Sequence, residues 1–163
     1  MRAIGFVLSI LLVLGLLFYG VLWFAGWWWE GRSVEVETAA LRQVRETGEV
    51  VANVRTVYKI SDVAIATEYV IFDPGAAKRQ DALDKAADAL QGKGWKVEGG
   101  TSPSQVDLES SEWDVSVSLV PLDFFVARGA FGEQEVLKVA ENARAKAVQP
   151  EVLVVAIARA SAN

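Results

Sequence analysis

Residues 68–75 read EYVIFDPG, and the fold class turns on how that stretch is taken. Glu68–Phe72 is a short apolar run rich in aromatic and branched side chains, which suits a buried strand. Asp73 is a good helix N-cap, and Pro74 fits the first helical position, where its missing N–H would have had no partner anyway. The periodicity then predicts a helix to about Gln91, with Leu83, Ala86, Ala87 and Leu90 on one face and Gly92 and Gly94 as its stop. Trp95–Glu98 opens the next strand, so the stretch begins a strand–helix–strand unit.

Working outward toward the C-terminus, Gln105–Glu109 and Glu112–Val120 alternate as two strands around Ser110-Ser111. A two-residue turn there would set Glu109 opposite Glu112, Leu108 opposite Trp113, Asp107 opposite Asp114 and Val106 opposite Val115. One face then carries Val106, Leu108, Trp113, Val115, Val117 and Leu119. Phe124–Ala127 reads as a further short strand, and Gly129 and Gly132 frame a loop. Glu133–Val148 reads as a helix with Val136, Val139, Ala140, Ala143 and Ala147 facing inward, Pro150 ends it, and Glu151–Arg159 is a last strand. In the N-terminal direction, Glu49–Ile60 fits either period. Its β-branched residues favour a strand. Ser33–Gly48 is polar and reads as a helical stalk.

The predicted class is α+β, with both helices on one face of an antiparallel or mixed sheet. The element order resembles a ferredoxin-like βαββαβ sandwich with extra strands, an analogy of order that carries no function. Two strand-to-helix turns, at 72–75 with Lys78 and Arg79 behind it and at 128–132, are expected at one end of the sheet. Neither matches a phosphate-binding loop.

The chain has 163 residues, 52% of them hydrophobic, but that figure is an average over two unlike parts. Residues 3–29 hold no charge, and 22 of these 27 are hydrophobic. A helix of that length reaches roughly 40 Å against a hydrocarbon core of about 30 Å. Ile4–Leu22 is read as the buried span. Trp23, Trp27, Trp28 and Trp29 are read as an interfacial belt, since indole favours the headgroup level. The run is too long for a signal-peptide core and lacks a small-x-small cleavage site, so it is expected to stay as a signal-anchor. The domain organisation expected is an anchor at 1–32, a polar stalk at 33–48 and a soluble domain at 49–163. With only Met1 and Arg2 before the run, the N-terminus is expected in the cytoplasm and the domain outside the cell membrane.

Beyond Arg32 there are 14 basic and 20 acidic residues, a net charge of −6. No basic cluster supplies the positive footprint that nucleic acid needs, and an acidic domain is expected to stand off anionic headgroups. Cysteine and histidine are both absent. That excludes thiolate chemistry, iron–sulfur clusters and every histidine-based triad or zinc site. No cofactor is implied. Between Lys96 and Arg128 there is no basic residue but six acids. Four of them, Asp107, Glu109, Glu112 and Asp114, are expected on one face of the hairpin. That face suits oxygen-ligated cations, a basic partner, or solvated charge that guards the sheet. Phe124, Phe131 and Arg128 are candidates for contact with a partner protein.

The function expected is a membrane-anchored envelope protein whose domain binds or assembles with another protein. The alternatives are a carboxylate-based envelope hydrolase, with a glycan as its candidate substrate, and a domain for a small ligand. The hydrolase needs one carboxyl in an apolar pocket.

Overall fold

The computed structural model describes residues 33–60, 63–99, 102 and 104–160. In chain order the elements are β1 (Ser33–Val34), α1 (Thr38–Arg45), β2 (Glu49–Ile60), β3 (Val63–Asp73), α2 (Arg79–Gln91), β4 (Trp95–Val97), β5 (Val106–Ser110), β6 (Val115–Pro121), α3 (Leu122–Ala127), α4 (Gln134–Lys146) and β7 (Val154–Ala160). The class is α+β. Strands β2, β3, β7, β6, β5 and β4 lie side by side in that order, each antiparallel to its neighbour. Because β2 fills one edge of β3 along its length, β1 takes the other edge, past the end of β7, where it runs parallel to Ala64 and Ile65.

Successive side chains of a strand point to opposite faces, and this divides the core in two. Val70 and Phe72 of β3, Val117 and Leu119 of β6, and Ala156 and Ala158 of β7 meet α1 and α2 through Leu41, Val44, Leu83 and Leu90. Tyr69, Ile71, Val120, Val155 and Ile157 meet α3 and α4 through Leu122, Phe125, Val136 and Ala140. The expectation of both long helices on one face is therefore corrected: α2 and α4 cover opposite faces. The physical reason lies in the strands. Val152–Ala158 is buried without a break, and a strand apolar at every position is covered on both sides.

The strand order also departs from the ferredoxin-like arrangement. In βαββαβ both helices join parallel strands, whereas here β6 and β7 are adjacent and antiparallel. The cause is the segment expected as a strand at 124–127, which is helix α3. One helix carries the chain to the far end of the sheet, and two return it to the end it left. With α3 and α4 in the connection, β7 folds back beside β6. The run LDFFVA is too short for its period to decide. Pro121 at the N-cap and full burial of Leu122 and Phe125 against α4 decide it. The same change puts the turns at 72–75 and 128–132 at different ends. The first follows the Asp73 end of β3, and the second leads into an α4 whose last residues reach back to Glu49 and Asp73.

Two boundaries shift for local reasons. Helix α2 starts at Arg79 because the Asp73 carboxylate accepts the Gly75 N–H at 2.7 Å, closing a turn of its own. Residues 33–48 are not a free stalk. Val36, Ala40, Leu41 and Val44 are buried, Trp95 donates its indole N–H to Gln43 Oε1 at 2.8 Å, and Lys93 pairs with Glu46 at 2.9 Å. No helix among the described residues is long and apolar enough to cross a membrane. The run at 3–29, with Trp23, Trp27, Trp28 and Trp29, lies outside them.

Candidate functional site

The acidic hairpin closes differently from the two-residue turn. Val106 pairs with Leu119, Asp107 with Ser118, Leu108 with Val117 and Glu109 with Ser116. The Ser110 hydroxyl accepts the N–H groups of Glu112 and Trp113 at 3.2 and 3.1 Å, which lengthens the loop to Ser111–Asp114. Every expected partner moves by four residues, an even number, so the apolar set keeps its face while the opposed like charges disappear. Asp107 accepts hydrogen bonds from the Ser118 hydroxyl at 2.6 Å and from Gln105 at 2.9 Å. Glu109, Glu112 and Asp114 are exposed. Among the described residues no group of carboxylates is arranged to hold a metal ion.

The three partner-contact candidates fall in one segment. The Arg128 guanidinium lies 4.6 Å from the Phe124 ring centre. Phe131 is 45% exposed and meets Phe125 edge-on at 5.6 Å. The loop between α3 and α4 is a left-handed turn in which Gly129, Ala130, Phe131 and Gly132 all have positive φ, at 64°, 46°, 55° and 93°. For Ala130 and Phe131 this costs roughly 1–2 kcal/mol each. Burial of Ala130 and the Phe125–Phe131 contact offset that strain.

Next to this turn, Tyr69 donates its hydroxyl to Glu133 at 2.5 Å. Glu133 is the N-cap residue of α4, yet its side chain makes no cap hydrogen bond. It is drawn to the tyrosines instead. Burial, then the hydrogen bond to Glu133 and its negative charge, push the Tyr69 hydroxyl well above the ordinary phenol range. Tyr58 is shifted the same way, chiefly by its hydrogen bond to Glu133. Tyr69→Phe should cost about 1.5–3 kcal/mol at neutral pH, the range for a hydrogen bond to a charged group. The folded-state pKa is raised, so the stability from Tyr69 is complete below the unfolded phenol's value of about 10 and is lost as pH rises above it. The gap between the melting curves of the two proteins should therefore be narrower at about pH 11 than at about pH 8. A constant gap would show that the phenol proton plays no part.

Sequence reasoning missed the exposed edge. Strand β2 pairs with β3 and with no other strand among the described residues. Along it Val50 and Val51 are each 41% exposed, Val57 57% and Tyr58 44%. A β-bulge interrupts the register between Val50, opposite Phe72, and Ala52, opposite Ile71. It turns Val51 toward α4, where Val51, Ala52, Val139, Asn142, Ala143 and Lys146 line an open groove. Past Val51 and Lys146 the groove widens into a cleft that brings Glu49 and Asp73 beside Val148 and Leu153. The singled-out acids Asp107, Glu109, Glu112 and Asp114 line neither part. The available signal was the adjacent pair Val50-Val51, which cannot both face the core of a regular strand. Comparison of the chain with protein-family models, with curated proteins and with solved structures gives no significant match.

Proposed function

We propose that the chain is a single-pass envelope protein, anchored in the cell membrane through residues 3–29 with its N-terminus in the cytoplasm. Its acidic extracytoplasmic α+β domain is a protein-binding or assembly module. The observation that carries the binding reading is the outer edge of β2, which no strand among the described residues covers, with the groove beside it. A free edge offers a row of unpaired N–H and C=O groups to another chain. An extended partner segment adds as a strand through main-chain hydrogen bonds, and its alternate side chains enter the groove between β2 and α4. The domain's net charge of −6, with Glu49 and Asp73 at the cleft, favours a partner segment bearing Lys or Arg. The hydrolase reading has less support, since Asp107 and Glu109 on β5 and Glu112 and Asp114 on the β5–β6 loop line neither part of the groove.

Crosslinking and co-purification from detergent-solubilised native membranes test this. Val51→Lys, which places a charge in the groove, should abolish recovery of the partner that the unaltered chain captures. Glu112→Gln, on the β5–β6 loop, should leave recovery intact. Equal recovery with Val51→Lys would remove the groove from the reading.

A further inference from the structure

The pairing of Ser33 with Ala64 and of Val34 with Ile65 fixes where the chain enters the domain. Both partners lie at the end of β3 nearest β2's C-terminus, with Ile65 opposite Tyr58. Trp29, the last residue of the apolar run, precedes Ser33 by four positions. Four residues reach at most about 14 Å. Residues 36–44 add no slack, because their apolar side chains are packed into the core. With the run 3–29 spanning the bilayer, this end of the domain is held beside a headgroup layer only about 5–8 Å deep.

The same end carries three exposed apolar side chains, Val57, Tyr58 and Phe131, while Val50, Val51 and Val148 lie toward the other end. Val57 and Tyr58 leave β2 on opposite faces. Phe131 stands on the left-handed turn before α4, tied to Tyr58 by way of Glu133, Tyr69 and Phe125. A tyrosine suits the headgroup level, with an apolar ring and a polar tip. Glu35, near the entry point, is neutralised by Arg55 at 2.7 Å. The exposed acid Glu112 lies on the β5–β6 loop, separated from β3 by β7 and β6. Anionic headgroups repel that corner and leave the β2–β3 corner as the one that approaches.

We propose that Val57, Tyr58 and Phe131 form a lipid-docking surface that seats in the headgroup layer of the membrane crossed by residues 3–29. This rests on the anchor reading above, and it replaces the expectation that an acidic domain stands off the bilayer. Docking sets the domain upright. Val51 is seven positions along β2 from Tyr58, roughly 24 Å at the rise of a strand. The groove is thus lifted clear of lipid and open to a partner.

The chain contains no cysteine, so single cysteines can be labelled without competition. The full-length protein is reconstituted into vesicles of phosphatidylcholine with a minor share of phosphatidylglycerol. It carries an environment-sensitive fluorophore at Val57→Cys, Phe131→Cys, Val148→Cys or Leu12→Cys, and lipids spin-labelled near the headgroup or deep in the acyl chain serve as quenchers. Expected are loss of fluorescence at positions 57 and 131 with the shallow quencher, none at 148, and loss at 12 with the deep one. Loss at 12 with positions 57 and 131 as bright as 148 overturns the docking and leaves the anchor standing. No loss at 12 overturns the anchor and the docking with it. Quenching at 148 equal to that at 57 also overturns the proposal, because the domain would then have no preferred end.

Discussion

Phe125→Ala should destabilise the domain by about 3–5 kcal/mol, the range for removing a buried phenylalanine. Phe125 is fully buried. Its ring lies 5.9 Å from that of Tyr69, tilted by 48°, and 5.6 Å from that of Phe131. Truncation removes the transfer energy of the ring and leaves a cavity between the sheet and the turn at 129–132. The upper part of the range is expected, because the ring is also the inner support of a strained turn. Without it, Ala130 and Phe131 keep their positive φ with fewer contacts to hold them there. Phe124→Ala is the informative neighbour. Phe124 is half-buried and its aromatic face meets the Arg128 guanidinium, so a cost of about 1 kcal/mol is expected. Urea unfolding of the detergent-solubilised protein, followed by tryptophan fluorescence, separates the two. Equal losses would mean that α3 frays and that Phe125 holds nothing in place. The variant should also lose the lipid contact proposed for Phe131, since the side chain that positions it is gone.

Much of the fold was legible. Strands β4 and β7 and helix α4 stand within a few residues of where periodicity puts them, as do the C-terminal ends of β3 and α2, because a glycine or proline lies close by; β3 starts at Val63 instead of Glu68, and α2 at Arg79 instead of Pro74. The β-branched residues of 49–60 were a sound guide to a strand. What failed was what depends on parity and on distant contacts. The six residues of α3 have no period of their own, and reading them as a strand reversed the direction of everything between β6 and β7. The hairpin register followed the shortest possible turn, but Ser110 prefers to take two backbone N–H groups into its hydroxyl, and the loop grew by two residues. The candidate site was less legible than the fold. A charge cluster is conspicuous in a sequence, and so the acids from Asp107 to Asp114 drew attention. The β2 edge is conspicuous only once it is known that no other described strand covers it. Likewise the strained turn needs backbone angles that Gly129 and Gly132 hint at and that Ala130 and Phe131 do not.

Gly48→Ala should cost about 3 kcal/mol or more, at or beyond the top of the usual range for overpacking. The residue does not need positive φ; it needs the absence of a side chain. A Cβ on Gly48 would stand 2.3 Å from the Asp73 carbonyl oxygen, 2.8 Å from its carbonyl carbon and 2.8 Å from the Phe72 ring. Two of those three atoms are backbone in a paired strand, so no rotamer change can relieve the contact. The chain must move instead, and the part free to move is the start of β2, where Glu49 pairs with Asp73 just before the bulge. Beyond the bulge, the pairs from Ala52–Ile71 onward hold the rest of the strand. The damage should therefore fall on the groove end of β2 and spare the end proposed to meet lipid. Gly92→Ala controls for the substitution itself, since its nearest contact would be an ordinary 3.4 Å to the Asp88 carbonyl oxygen, and a change within about 0.5 kcal/mol is expected. Hydrogen exchange on the full-length protein locates the effect. In Gly48→Ala those amides of residues 49–52 that bond to β3 should lose protection while those of 54–58 that bond to β3 keep it, and partner capture should fall with the former. Uniform loss along β2 would mean that the strand is one cooperative unit with no separable groove end.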